Sequence, residues 1–366
     1  MSRLSFVWLP VLFAVALDSV ATRADAAEVQ AFKVGVRSRQ IAPPEPYEWR
    51  GAATHVLNTV IWYPADPSID QMTPPTSISG GPAIFEAEGA IADAALAPAQ
   101  ARFPLILLSH GNGGTAPSLA WFAAGMAARG YIVAGVNHPG NSALEPKTVQ
   151  GSTLWSQRAR DLSVVLDALL ADEQFARRLD PERVGAAGFS LGGYTVIALA
   201  GGIVAPAVFG VSCRDCKPPP EFPDLVERTE ALQRADPAYA AALRGSATSV
   251  REPRVRAVFA IAPGLAQVMT SESLAAITLP VAIVAGAGDT VVPPEFNANL
   301  YAAKIPHAVL TIFPGSIGHF TFVDVCTAAG RDALPQFCVD APGVDRSATH
   351  ASTIAYAMEF FSANLK

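Results

Sequence analysis

The chain has 366 residues, 51% of them hydrophobic and 16% charged, enough for one large domain with a well-buried sheet or for two small ones. A net charge of −6 gives no electrostatic footprint for nucleic acid or an anionic membrane. No repeat of fixed period and no long low-complexity tract is present.

At the N-terminus, Arg3 precedes an apolar stretch over 4–17, and small residues follow with an A-x-A pattern at Ala24-Asp25-Ala26 and a second candidate ending at Ala21. This predicts a signal peptide over 1–26 and a mature chain starting near Ala27. The apolar stretch is shorter than the roughly 20 residues a membrane span requires, so no stable membrane anchor is expected after cleavage. No cysteine lies there to carry a lipid. The expected location is periplasmic or secreted.

Short apolar runs then alternate with helical patterns. Strands are predicted over 56–63, 104–109, 131–137, 183–188, 255–261, 281–285 and 308–313. Several are nearly continuous in apolar residues, such as Leu105-Ile106-Leu107-Leu108 and Val281-Ala282-Ile283-Val284, as suits parallel strands buried on both faces. Helices are predicted over 118–129, along the stripe Leu154, Leu162, Val165, Leu166 and Leu169, and over 191–200, 297–304 and 347–365. The alternation argues an α/β fold with a doubly wound, mostly parallel sheet, residues 27–366 forming a single domain.

Two stretches break the rhythm. Residues 64–102, rich in Pro, Gly, Ala and Ser, are expected to form a surface excursion. Residues 201–253, with Pro218-Pro219-Pro220 and a helix expected over 224–243, are expected to form an insertion near the active site. In an oxidising compartment Cys213, Cys216, Cys326 and Cys338 are expected to pair; three connectivities are open, and nearness in sequence favours Cys213–Cys216 and Cys326–Cys338. A lone C-x-x-C at 213–216 without a second pair or a nearby His is a weak redox or zinc signal.

The chemistry is concentrated in glycine-rich turns after strands. Gly188-Phe189-Ser190-Leu191-Gly192-Gly193 places a serine between a strand and a helix, where flanking side chains would clash and the first helix amides face the reacting carbonyl. Ser190 is the candidate nucleophile. Ser109-His110-Gly111-Asn112-Gly113-Gly114 follows another strand and offers backbone amides, so Leu191 and Asn112 are the candidate oxyanion donors. His110 is expected to brace that turn. Asp289, in Gly288-Asp289-Thr290, follows a strand on the same rim, and His319, in Gly318-His319-Phe320, comes after one more helix and strand. Ser, Asp, His is the chain order of a Ser–His–Asp hydrolase on such a sheet. His55, His307 and His350 have no comparable setting; His138, after a strand in Asn137-His138-Pro139-Gly140, suits either a pocket wall or a structural turn.

These motifs resemble the α/β-hydrolase superfamily, and within it the bacterial "predicted dienelactone hydrolase" branch, which is similar to platelet-activating-factor acetylhydrolases and cutinase-like polyester hydrolases. The resemblance runs from about Val56 to the C-terminus. Three departures qualify it. Dienelactone hydrolases use a cysteine where this chain has Ser190. The acetylhydrolases place the acid after the preceding strand, where this chain has Ala260-Ile261-Ala262-Pro263, leaving Asp289 as the acid. The polyester hydrolases carry an aromatic residue at the position of Asn112.

The expected function is a serine hydrolase cleaving small-molecule carboxylic esters through an acyl-enzyme on Ser190, with no metal or organic cofactor required. Alternatives are the same triad acting on an amide, lactone, thioester or β-diketone, or an inactive fold serving as a binding protein.

Overall fold

The structure is a computed structural model describing residues 32–68, 83–86, 89–205 and 223–366. The expected signal peptide, Cys213 and Cys216 lie outside the described residues.

Among the described residues nine strands form one sheet: β1 (Lys33–Ile41), β2 (Leu57–Ala65), β3 (Ile91–Ala92), β4 (Phe103–Ser109), β5 (Ile132–Val136), β6 (Leu179–Phe189), β7 (Val255–Ile261), β8 (Val281–Gly286) and β9 (Val309–Phe313), in the order β3-β1-β2-β5-β4-β6-β7-β8-β9. From β5 to β9 all neighbours are parallel, while β2 is antiparallel to both β1 and β5. The helices are α1 (Ala120–Ala127), α2 (Ser156–Ala171), α3 (Leu191–Leu199), α4 (Leu225–Ala235), α5 (Pro237–Gly245), α6 (Ser271–Ala275), α7 (Ala298–Lys304), α8 (Ala328–Ala333), α9 (Pro335–Cys338) and α10 (Arg346–Asn364).

The sheet is buried on both faces because its central strands are apolar along most of their length, as in β4, β5 and β8. Along β4, Phe103, Leu105 and Leu107 join one core with Leu162, Val165 and Leu166 of α2 and Ile197 of α3. Ile106 and Leu108 face the other way, into a second core with Phe122 of α1 and Phe361 of α10. The strand period of two thus assigns one residue set to each helical layer.

All seven predicted strands are present within a few residues. Two were missed: β1, and the two-residue β3, which pairs with β1. Residues 64–102 are therefore not wholly a surface excursion, since Ala90, Ile91, Ala94 and Ala97 are buried. The single helix expected over 224–243 is two. Asp236 ends α4 and caps α5, its carboxylate accepting from the amides of Ala238 (2.9 Å) and Tyr239 (3.1 Å), and Pro237 occupies the first turn, where its missing N–H costs nothing. Leu243 and Tyr239 of α5 pack on Leu154, and the Tyr239 hydroxyl lies 2.7 Å from that of Thr153.

Candidate active site

Ser190 stands between the end of β6 and the start of α3, capping the helix with a positive backbone φ of 57° and ψ −116°. The turn is fixed from three sides: the Ser190 amide donates to Ile261 O (2.9 Å), and its carbonyl accepts from Tyr194 (3.1 Å) and Gly264 (3.2 Å). Such a turn needs glycine at its crossings. A Cβ on Gly188 would lie 2.2 Å from Gly192 O, and one on Gly192 would lie 2.0 Å from Ser109 O, so the start of α3 rests directly on the end of β4.

Asp289 follows β8, and one of its carboxylate oxygens accepts from the amides of Val291 (2.9 Å) and Val292 (2.7 Å). The other lies 2.7 Å from His319 Nδ1, and His319 Nε2 lies 2.9 Å from Ser190 Oγ. A carboxylate only accepts, so Nδ1 carries the proton and Nε2 presents its lone pair to the serine hydroxyl. The Asp289 and His319 loops are tied together by Gly288 N donating to Ile317 O (3.0 Å). The Phe189 ring lies 4.7 Å from the imidazole at a tilt of 36°, and Phe320 meets the imidazole edge-on at 5.2 Å. Asp289 and His319 are buried while Ser190 is partly exposed. The structure thus brings together the three side chains that the motifs single out.

Leu191 follows Ser190 at the start of α3 and Asn112 follows Gly111 in the turn after β4, and neither backbone amide donates to a described residue. Gly111 is pressed against the same place: a Cβ on it would lie 3.3 Å from the Ser190 Cβ.

A second Ser–His–Asp set lies nearby. Ser109 Oγ is 2.9 Å from His138 Nε2, and His138 Nδ1 is 2.7 Å from Asp161. All three have 0% exposure, so no substrate reaches them. His138 therefore lines no pocket. Burial pushes its imidazole, and that of His110, well below the ordinary range, which keeps both neutral. His110 does brace its turn: Nδ1 donates to Gly111 O (2.7 Å), and Nε2 accepts from the His138 amide (3.1 Å). Asp161 also accepts from Tyr47 and from Arg50 (2.9 and 3.1 Å), and Arg158 of α2 reaches the same layer. Sequence reasoning missed this layer. Its signal was charge on an apolar stripe: Arg158 and Asp161 stand four residues before Leu162 and Val165, on the face that α2 turns to the sheet.

Cys326 and Cys338 form a disulfide, Cα–Cα 5.5 Å, in the segment after the His319 loop.

Parallel strands flanked by helices on both faces, with Ser190 on a strand-to-helix turn and Asp289 and His319 following on the same rim, make this chain an α/β-hydrolase by fold. Over residues 86–152 it is similar to the family described as platelet-activating factor acetylhydrolase, isoform II. Among solved structures it is similar to a ferulic acid esterase from Streptomyces cinnamoneus, at 19% identity and a TM-score of 0.58 over 94% of this chain and 92% of that one. It is also similar to a puromycin-hydrolysing peptidase from Mycobacterium tuberculosis, at 13% identity and a TM-score of 0.51 over 90% of this chain and 39% of that one. At these identities the likeness is one of fold. No curated protein matches the chain.

Proposed function

We propose that this chain is an exported serine hydrolase that cleaves carboxylic esters of small molecules through an acyl-enzyme on Ser190. The observation that carries the reading is the relay from Asp289 through His319 to Ser190 Oγ, at 2.7 and 2.9 Å, ending on a partly exposed serine in a constrained turn. His319 takes the hydroxyl proton as Ser190 attacks the ester carbonyl, and Asp289 orients the imidazole and stabilises its charged form. The amides of Leu191 and Asn112 receive the oxyanion. His319 then returns the proton to the leaving alcohol and activates the water that releases the acid.

Similarity over residues 86–152 to the acetylhydrolase family supports an ester substrate. Export is supported by the charge, apolar stretch and A-x-A pattern over 1–26, together with a cysteine pair joined as a disulfide.

The test is covalent labelling with a fluorophosphonate, followed by turnover of an ester panel of graded acyl length with matched amides. The wild-type protein should label and hydrolyse esters. Ser190→Ala should abolish labelling, and His319→Ala should lower kcat by about 10⁴-fold or more. Labelling that persists in Ser190→Ala overturns the assignment.

A further inference from the structure

Arg158 lies on α2 with 1% exposure, and no carboxylate among the described residues is within ion-pair distance of it. The nearby Asp161 is taken up by Arg50, Tyr47 and His138. With both histidines neutral, Arg50 and Asp161 cancel, and the layer keeps one unneutralised positive charge. Burial pulls the guanidinium down to about 9, which leaves it charged at neutral pH. Holding a buried cation without a counter-ion is costly unless its donors are engaged, and such sites cluster where the charge has a use.

The donors of Arg158 are engaged in a particular way. Nε donates to Thr195 Oγ1 (3.1 Å), whose hydroxyl donates to Leu191 O (2.8 Å). On the other side, one terminal nitrogen donates to Asn141 Oδ1 (2.9 Å), and Asn141 Nδ2 donates to Asn112 Oδ1 (2.8 Å). The remaining nitrogen donates to His110 O and to Ser109 Oγ (3.3 Å). One planar fork thus reaches both residues proposed as oxyanion donors: Leu191 through Thr195, Asn112 through Asn141.

We propose that Arg158 is a positioning residue of this site, fastening the turn that carries Asn112 to the helix start that carries Leu191 and placing its charge behind the oxyanion that forms between them. The inference rests on the proposed serine-hydrolase reading. The negative charge missing from the resting layer is supplied by the reaction, when the carbonyl oxygen becomes an oxyanion. A donor pair set in advance, with positive charge behind it, stabilises that state more than the ground state.

The test compares an ester with its thionoester, in which sulfur replaces the carbonyl oxygen. Sulfur is a poor hydrogen-bond acceptor, so attack on the thionoester draws little from the two amides, whereas the relay of His319 and Ser190 serves both substrates. The variants are Arg158→Lys, which keeps the charge but loses the fork, and Asn141→Ala and Thr195→Val, which each cut one arm and leave the guanidinium in place. Each single-arm variant should lower ester kcat by about 10-fold and Arg158→Lys by about 100-fold, with KM within about threefold. The ester-to-thionoester ratio should fall by the same factors. The single-arm variants carry the test if Arg158→Lys does not fold. Equal losses on both substrates, or a folded variant with unchanged ester kcat, overturn the inference. A wild-type protein that labels and hydrolyses ester while the ratios stay fixed overturns this inference alone; one that does neither overturns the serine-hydrolase reading with it.

Discussion

Ser190 holds a backbone conformation that costs a residue with a β-carbon about 1–3 kcal/mol, and the surrounding turn keeps it there because three backbone hydrogen bonds and two glycine crossings leave no alternative path. Gly192 is the tighter constraint, because a Cβ there meets the carbonyl of a central strand rather than a movable side chain. Gly192→Ala is therefore expected to lose cooperative unfolding and fluorophosphonate labelling together. Gly245→Ala, whose Cβ would meet nothing within 4 Å at the end of α5, should match the wild type or exceed it by up to about 1 kcal/mol. Thermal denaturation of the two variants checks this; a Gly192→Ala protein with wild-type Tm and labelling would refute the account of the turn. Ser190, Asp289 and His319 were legible as residues because each stands in a short glycine-flanked motif. Arg158 and Asn141 were not, because what they do depends on partners brought together from four separate segments: the turn after β4, the loop at Asn141, α2 and the start of α3.

At the scale of elements, the central strands were legible because burial on both faces writes a continuous apolar run. β1 was not, because only one of its faces is covered towards its end: Ser38 is exposed between half-buried Arg37 and Arg39, and the run reads as polar. The C-terminal helix was legible, but its partner was not. His350 of α10 stacks on Trp121 of α1 at 3.9 Å and donates from Nε2 to Thr321 O (2.8 Å), in the loop that begins at His319. Burial pushes its imidazole down to about 4 from an ordinary 6.5. The folded state therefore resists a proton that the unfolded chain accepts, so this contribution is intact above about pH 6.5 and is lost as pH falls from there toward about 4. Between pH 7.5 and 5 it amounts to about 2 kcal/mol. Urea denaturation at both pH values should show wild-type stability dropping by about that much more than the stability of His350→Gln. Parallel losses in the two proteins would exclude the linkage.

At the scale of the whole molecule, the segment after His319 is held in two independent ways. One is covalent: Cys326–Cys338 closes the stretch that contains α8 and α9. The other is a set of hydrogen bonds that does not pass through the disulfide. Trp121 Nε1 donates to Phe322 O (3.0 Å), Arg346 donates to Asp324 O (3.0 Å), Phe337 O (2.9 Å) and Asp340 (2.8 Å), and Asp340 accepts from the Thr321 hydroxyl (2.7 Å). The disulfide acts chiefly by restricting the unfolded chain, whereas the hydrogen bonds fix where His319 sits in the folded one. The two roles separate on removing the cross-link. Cys326→Ser with Cys338→Ser is expected to lower stability by about 2–4 kcal/mol, a fall in Tm of roughly 5 °C for a chain of this size. Fluorophosphonate labelling at 25 °C should persist, because Phe322, Asp324 and Thr321 keep their partners. Unchanged Tm would mean that the unfolded chain is not constrained by the bond. Labelling lost while the fold remains intact by circular dichroism would mean that the disulfide, and not the Arg346 and Trp121 contacts, places His319 beside Ser190.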